Sequence, residues 1–178
     1  VLFKFAFANF IQSVNPKVTS KETLVGKKVC VGLPLQSMRQ FSEFMIRDCW
    51  GMWDKINPQP LSWDAGKTAL LDGLADAMTV VSIMGAPGEW LQHTSFQEVL
   101  ATRDSYFFGP TKEEVAHGNE VSKSNYPWAH IPAGTFGPRQ KMDVSGHVLV
   151  QHWWVYPEFP DDVVTEVLRI VYENIEKI

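Results

Sequence analysis

Apolar positions along this chain switch repeatedly between a period of two and a helical period. Phe3–Ile11 alternates loosely and predicts a strand. Asn15–Gly26 is polar and turn-rich, which suits a linker or crossover. Lys28–Leu33 is a short apolar run between Gly26 and Gly32, the pattern of a buried parallel strand. Gln36–Trp50 follows with Met38, Phe41, Phe44, Met45 and Cys49 at helical spacing, ended by Gly51. The same grammar recurs, with a short strand over Pro60–Trp63, Asp64 as N-cap of a helix over Ala65–Leu71, and Gly73 as its stop. Ala75–Ile83 is a third strand, and Pro87 leads into a short helix over Gly88–His93. Tyr106–Phe108 is a brief strand, and Thr111 caps a helix running to Lys123 with Glu113 and Glu114 in its first turn. Tyr126–Pro138 has no period and reads as an ordered loop or extended segment. Val144–Tyr156 is the longest strand candidate, closed by Pro157. Asp161 or Asp162 caps a final helix with Val164, Val167, Leu168, Val171 and Ile175 on one face. Short buried strands alternating with helices predict an α/β fold, a mostly parallel sheet flanked by helices.

Composition narrows the function classes. The 178 residues are 45% hydrophobic and 20% charged, as in soluble globular domains. Seven Trp and eleven Phe exceed ordinary core filling and suit a small-molecule cleft or an interface. A formal charge of −4 without a basic run offers no electrostatic footprint for nucleic acid or anionic membranes. Cys30 falls in a strand pattern and Cys49 late in a helix, so both read as buried core thiols; the spacing alone leaves a pairing between them open. No Cys or His spacing matches a metal site, and no cofactor motif is present. His147 and His152 stand an odd number of residues apart on one strand and so face opposite sides. Ser145-Gly146-His147 lacks the GxSxG elbow of a hydrolase nucleophile, and no catalytic residues are assigned. The apolar opening Val1–Ile11 has no cleavage site behind it and is not read as a signal peptide; both ends read as cut from a longer protein.

Four strings, in order, carry a family resemblance. Leu61–Ala77 reads LSWDAGKTALLDGLADA, Lys21–Gly32 reads KETLVGKKVCVG, Ile131–Phe136 reads IPAGTF, and Pro160–Asn174 reads PDDVVTEVLRIVYEN after the Val144–Val150 strand. Together these resemble the TAXI branch of solute receptors that serve TRAP-type secondary transporters. The resemblance implies a lobe of the type II periplasmic-binding-protein fold, two α/β lobes closing on a ligand. It divides the chain into a hinge strand and linker (1–25), a second lobe (26–156) and a helix returning toward the first lobe (157–178). It further implies a periplasmic or extracytoplasmic location, a small carboxylate-bearing organic or amino acid as ligand, no cofactor, and membrane permease subunits as partners. A lobe alone would expose its cleft face, so self-association is expected.

Candidate ligand-binding residues follow from where an open α/β sheet presents its strand ends. The loop after Val31 runs Gly32-Leu33-Pro34-Leu35-Gln36-Ser37-Met38, where the family pattern is VG-x-PGSGT. Pro34, Gln36 and Ser37 are assigned there, because free backbone N–H groups at a helix start suit a carboxylate. Ser82 and Met84 lie at the carboxyl end of the third strand, Trp63 is a candidate wall, and Thr135-Phe136 stands where the family has Thr-Tyr. Two other classes share this architecture, an effector-sensing domain of a transcriptional regulator and an enzyme. The first needs a DNA-binding domain upstream, the second a strongly perturbed acid–base pair.

Overall fold

Strand β1 (Lys4–Ser13) is the spine of the sheet. From Ala8 to Ser13 every residue is buried, so both faces of this stretch are covered. β2 (Lys28–Cys30) leads through a loop into α1 (Ser37–Ser42), which continues without a break as a π-helical stretch over Glu43–Cys49. β3 (Asn57–Gln59), α2 (Trp63–Leu71) and β4 (Ala77–Met84) follow, then β5 (Trp90–Leu91), α3 (Thr94–Thr102) and β6 (Tyr106–Phe108). α4 (Lys112–Ser122), the hairpin strands β7 (Trp128–Ile131) and β8 (Val144–His152), and α5 (Asp161–Glu173) complete the order. This computed structural model describes residues 4–85, 88–152 and 154–174.

The sheet runs β3-β2-β4-β1-β8-β7, with β5 added to β4 and β6 to β1. Helices cover it, so the class is α/β as the periodicity implies. The sheet is mixed, however, rather than mostly parallel. β2 pairs in parallel with β3 and with β4. β1 runs antiparallel to β4, from Phe7↔Ile83 to Ser13↔Ala77, and antiparallel to β6. β4–β5 and β7–β8 are antiparallel too. A strand buried on both faces reads as a continuous apolar run whatever its direction, so the sequence pattern could not distinguish the two.

Residues 7–149 form one compact body. Ile11 and Phe10 point to opposite faces of it. On one face Ile11, Val29 and Val31 pack with Met45 and Ile46 of the π stretch. Val18 and Leu24, from the polar segment after β1, are fully buried in the same cluster. On the other face Phe10 meets Phe96 at 5.8 Å, Phe107 at 5.7 Å and Phe136 at 6.0 Å between ring centroids. Residues 4–6, 150–152 and 154–174 group as a second body, in which α5 has Val164, Val167, Leu168 and Val171 half-buried along one side. Ile175, assigned to that side from sequence, lies outside the described residues, as do Phe3 and Pro87.

Several local expectations shift. The short strand expected over Pro60–Trp63 lies instead at Asn57–Gln59, with Pro58 tolerated because β3 is an edge. Ser62, not Asp64, caps α2, its hydroxyl accepting from the Ala65 N–H at 3.4 Å. Gly88–His93 is not helical: Trp90 and Leu91 pair with Met84 and Ile83, and the helix starts only at Thr94, with the His93 ring accepting from the Ser95 N–H. Cys30 and Cys49 are buried and unpaired. Burial pushes their thiols up to about 11 and about 12, which keeps them protonated and inert at neutral pH; Asp48 and Glu114 add to the shift of Cys49.

Candidate functional site

Two helix starts meet at one open cleft of 290 Å³, lined by Gln36, Ser37, Met38, Ser62, Trp63 and Asp64. The turn leading into α1 is set by Gly32, which has a φ of +84°. A Cβ there would stand 2.6 Å from the Arg39 nitrogen and 2.9 Å from the Met38 Cβ, so only glycine lets β2 approach the helix start this closely. Leu35 then takes a φ of +68°, although it is not glycine, and its side chain is 98% exposed. This left-handed conformation is one that glycine adopts freely and that the leucine side chain strains. Leu35→Gly is expected to stabilise the protein by about 1 kcal/mol less the added chain entropy of glycine, read as an unchanged or raised Tm. An ordinary surface Leu→Gly change would lower it.

At the two helix starts the Arg39 N–H is taken by the Gln36 carbonyl and the Ala65 N–H by the Ser62 hydroxyl, so the donors left at the cleft are the backbone N–H groups of Ser37, Met38, Trp63 and Asp64. The Gln36 side-chain oxygen accepts from the Leu33 N–H at 3.4 Å and closes the loop. The Trp63 indole Nε1 is buried and has no hydrogen-bond partner. Its ring packs edge-on to His93 at 5.6 Å, and burial lowers the pKa of that imidazole. The His93 ring thus stays neutral, with one nitrogen accepting from Ser95. The one anionic group on the rim is Asp64, which is 98% exposed and stands 3.7 Å from the Lys67 ammonium. Lys67 also reaches Glu98 of α3 at 2.8 Å.

Of the residues singled out from sequence, the structure brings Gln36, Ser37 and Trp63 together at this cleft, with Pro34 exposed in the loop beside it. Met84, half-buried, ends β4 opposite Trp90. Ser82 is fully buried and its hydroxyl donates to the Leu91 carbonyl at 2.7 Å, so it fastens β5 to β4 and is not free for a ligand. Thr135 donates to the Pro132 carbonyl at 2.7 Å, and the Phe136 ring, 2% exposed, belongs to the aromatic core. Neither lines the cleft. Met38, Ser62 and Asp64 do, and were not singled out; the Ser-Trp-Asp-Ala string carries an N-cap signal that locates Ser62.

Ser145 donates to the Gly109 carbonyl at 3.1 Å, while His147 is wholly buried against Phe41, Phe44 and Tyr126 with both ring nitrogens unpartnered. His152, by contrast, is exposed. Burial drives the pKa of His147 down to about 3, so this ring is neutral at physiological pH. Among the described residues no group of three metal-ligating side chains occurs, and no described helix is long and apolar enough to cross a membrane.

The sequence pattern of the NMT1-like family matches residues 4–178. The chain belongs to the NMT1-like family. Curated protein sequences gave no match. Among solved structures, this NMT1-like chain is similar to holo ArgBP from T. maritima, with a TM-score of 0.40 and 14% identity over 94% of the chain; it spans 53% of that protein. It is similar to the periplasmic aliphatic sulphonate binding protein SsuA from Escherichia coli, with a TM-score of 0.41 and 11% identity, covering 96% of this chain and 67% of that one. A TRAP periplasmic solute binding protein from Bradyrhizobium, complexed with galacturonate, has a TM-score of 0.34 and 22% identity, covering 65% of this chain and 38% of that one.

Proposed function

We propose that this NMT1-like protein is an extracytoplasmic solute receptor of the TAXI type, and that residues 26–156 act as one lobe of a type II clamp. The observation that carries this reading is the cleft at which α1 and α2 both begin, with the unpartnered Trp63 N–H beside it. Helix N-termini offer fixed N–H donors and a positive field, which favour a carboxylate without any net positive charge on the protein. The four family-like strings and the membership of the NMT1-like family support the same reading. The solute would be a small organic or amino acid with its carboxylate at Ser37 and Met38. Trp63 would supply both a wall and a donor, and no covalent chemistry is required. The exposed Asp64 disfavours a dianion at the α2 end and suits a ligand whose other end is neutral or cationic. Handover to permease subunits at the membrane completes the role.

Calorimetric titration of the chain with a panel of amino and dicarboxylic acids tests the reading. A monocarboxylate should bind, and Trp63→Phe, which keeps an aromatic ring but removes the donor, should weaken it about tenfold. Heat that is absent across the panel, or unchanged in Trp63→Phe, would reject this cleft as the site.

A further inference from the structure

A second pocket lies in the same body, away from the cleft. It measures 130 Å³, sits where β6 begins, and is lined by Asp104, Ser105, Tyr106, Phe107, Arg139, Lys141 and Met142. The loop that carries the two cations is held rigidly. Gln140, 2% exposed, accepts from the Phe136 N–H at 2.8 Å and donates to the Pro132 and Met142 carbonyls at 2.9 and 3.1 Å. Its neighbours on both sides, Arg139 and Lys141, are thereby turned outward and exposed. Ser105 is fixed as well, because fully buried Gln12 donates to its hydroxyl at 2.9 Å.

Asp104, Arg139 and Lys141 share one small pocket, yet among the described residues none of the three side chains has a hydrogen bond or an ion pair. Opposite charges that line one pocket without pairing leave needs that neither a lone cation nor a lone anion meets. An anion would satisfy Arg139 and Lys141 but leave Asp104 uncompensated; a cation would do the reverse. A molecule bearing both charges satisfies all three groups. The volume is well below the roughly 300–1,000 Å³ of drug-sized sites, which restricts the occupant to a few heavy atoms. Phe107, 6% exposed, and the half-buried Tyr106 supply an apolar floor.

We propose that this pocket is a second ligand site, selective for a small zwitterion such as a free amino acid. Its carboxylate would sit on Arg139 and Lys141, its ammonium on Asp104 and its short side chain on Tyr106 and Phe107. The arginine can hold a carboxylate with two parallel hydrogen bonds, while the lysine contributes as a point charge.

Three small probes separate the possibilities: L-alanine, propionate (anion only) and L-alaninamide (cation only), each titrated into the chain and followed by amide chemical shifts. L-alanine should shift the resonances of Tyr106 and Phe107 and bind about tenfold or more tightly than either single-charge analogue. Arg139→Gln, Lys141→Gln and Asp104→Asn, all exposed positions, should each weaken L-alanine there. Trp63→Phe, in the separate cleft, should leave those shifts unchanged. Equal binding of propionate, equal binding of L-alaninamide, insensitivity to Asp104→Asn, or no shift at these residues would each overturn the proposal.

Discussion

As the pH falls from 6.5 toward 3, the protein is expected to lose stability on the order of 4 kcal/mol through His147 alone. The ring is wholly buried, touches Phe41, Phe44 and Tyr126, and its pKa is lowered to about 3 by burial. The unfolded chain, with an ordinary imidazole, takes up the proton first. Stability tied to the neutral ring is therefore complete above the unfolded value, declines through pH 6 to 4, and is gone once the pH passes below the folded value. His147→Phe should flatten that decline and raise stability at every pH, because a neutral imidazole here also buries an N–H with no acceptor. Urea denaturation at pH 7, 5 and 4 measures both effects. Parallel curves for the two proteins would show that His147 is hydrated or paired in solution.

Gly146→Ala is expected to destabilise the protein by about 3 kcal/mol or more, or to abolish soluble expression. The reason is a backbone-on-backbone approach. A Cβ at Gly146 on β8 would lie 2.4 Å from the carbonyl oxygen of Asn9 on β1, and one at Gly109 would lie 2.0 Å from the carbonyl oxygen of Ser145. Carbonyls locked in a central sheet cannot rotate aside as a flexible side chain can. Gly73→Ala is the control. Gly73 has a φ of +71° but nothing within 4 Å of an added Cβ, so only the strain of a left-handed alanine applies, about 1 kcal/mol. Denaturation midpoints for the three variants should rank Gly109→Ala and Gly146→Ala far below Gly73→Ala.

Much of this was legible in the sequence. The helical spacing of Met38, Phe41, Phe44 and Met45 located α1, and the Val-rich run after Ala75 located β4. The aromatic surplus proved to be in part a core device, with Phe10, Phe96, Phe107 and Phe136 forming one cluster. Phe136 was a candidate because Thr135-Phe136 stands where the resembled family has Thr-Tyr; that the loop folds its ring inward depends on Gln140, which has no local signature. Ser82 failed as a ligand donor for a related reason. A two-residue strand, β5, is too short to leave a pattern, and it takes the hydroxyl. Gln36, Ser37 and Trp63 were readable as a group only because strand ends and helix starts converge on one side of such sheets.

The π-helical stretch Glu43–Cys49 has a consequence for how this chain can vary. Met45 and Ile46 feed one hydrophobic cluster while Phe44 and Cys49 feed another with Val115, a distribution that the wider turn makes possible. The wider turn also breaks the rotational phase between the two ends of the helix. Its start can be oriented by the loop at Gly32–Gln36 while its end is oriented by the core. Substitutions in the loop at Gly32–Gln36 are thereby insulated from the packing below, so loop and scaffold can be altered separately within one continuous helix.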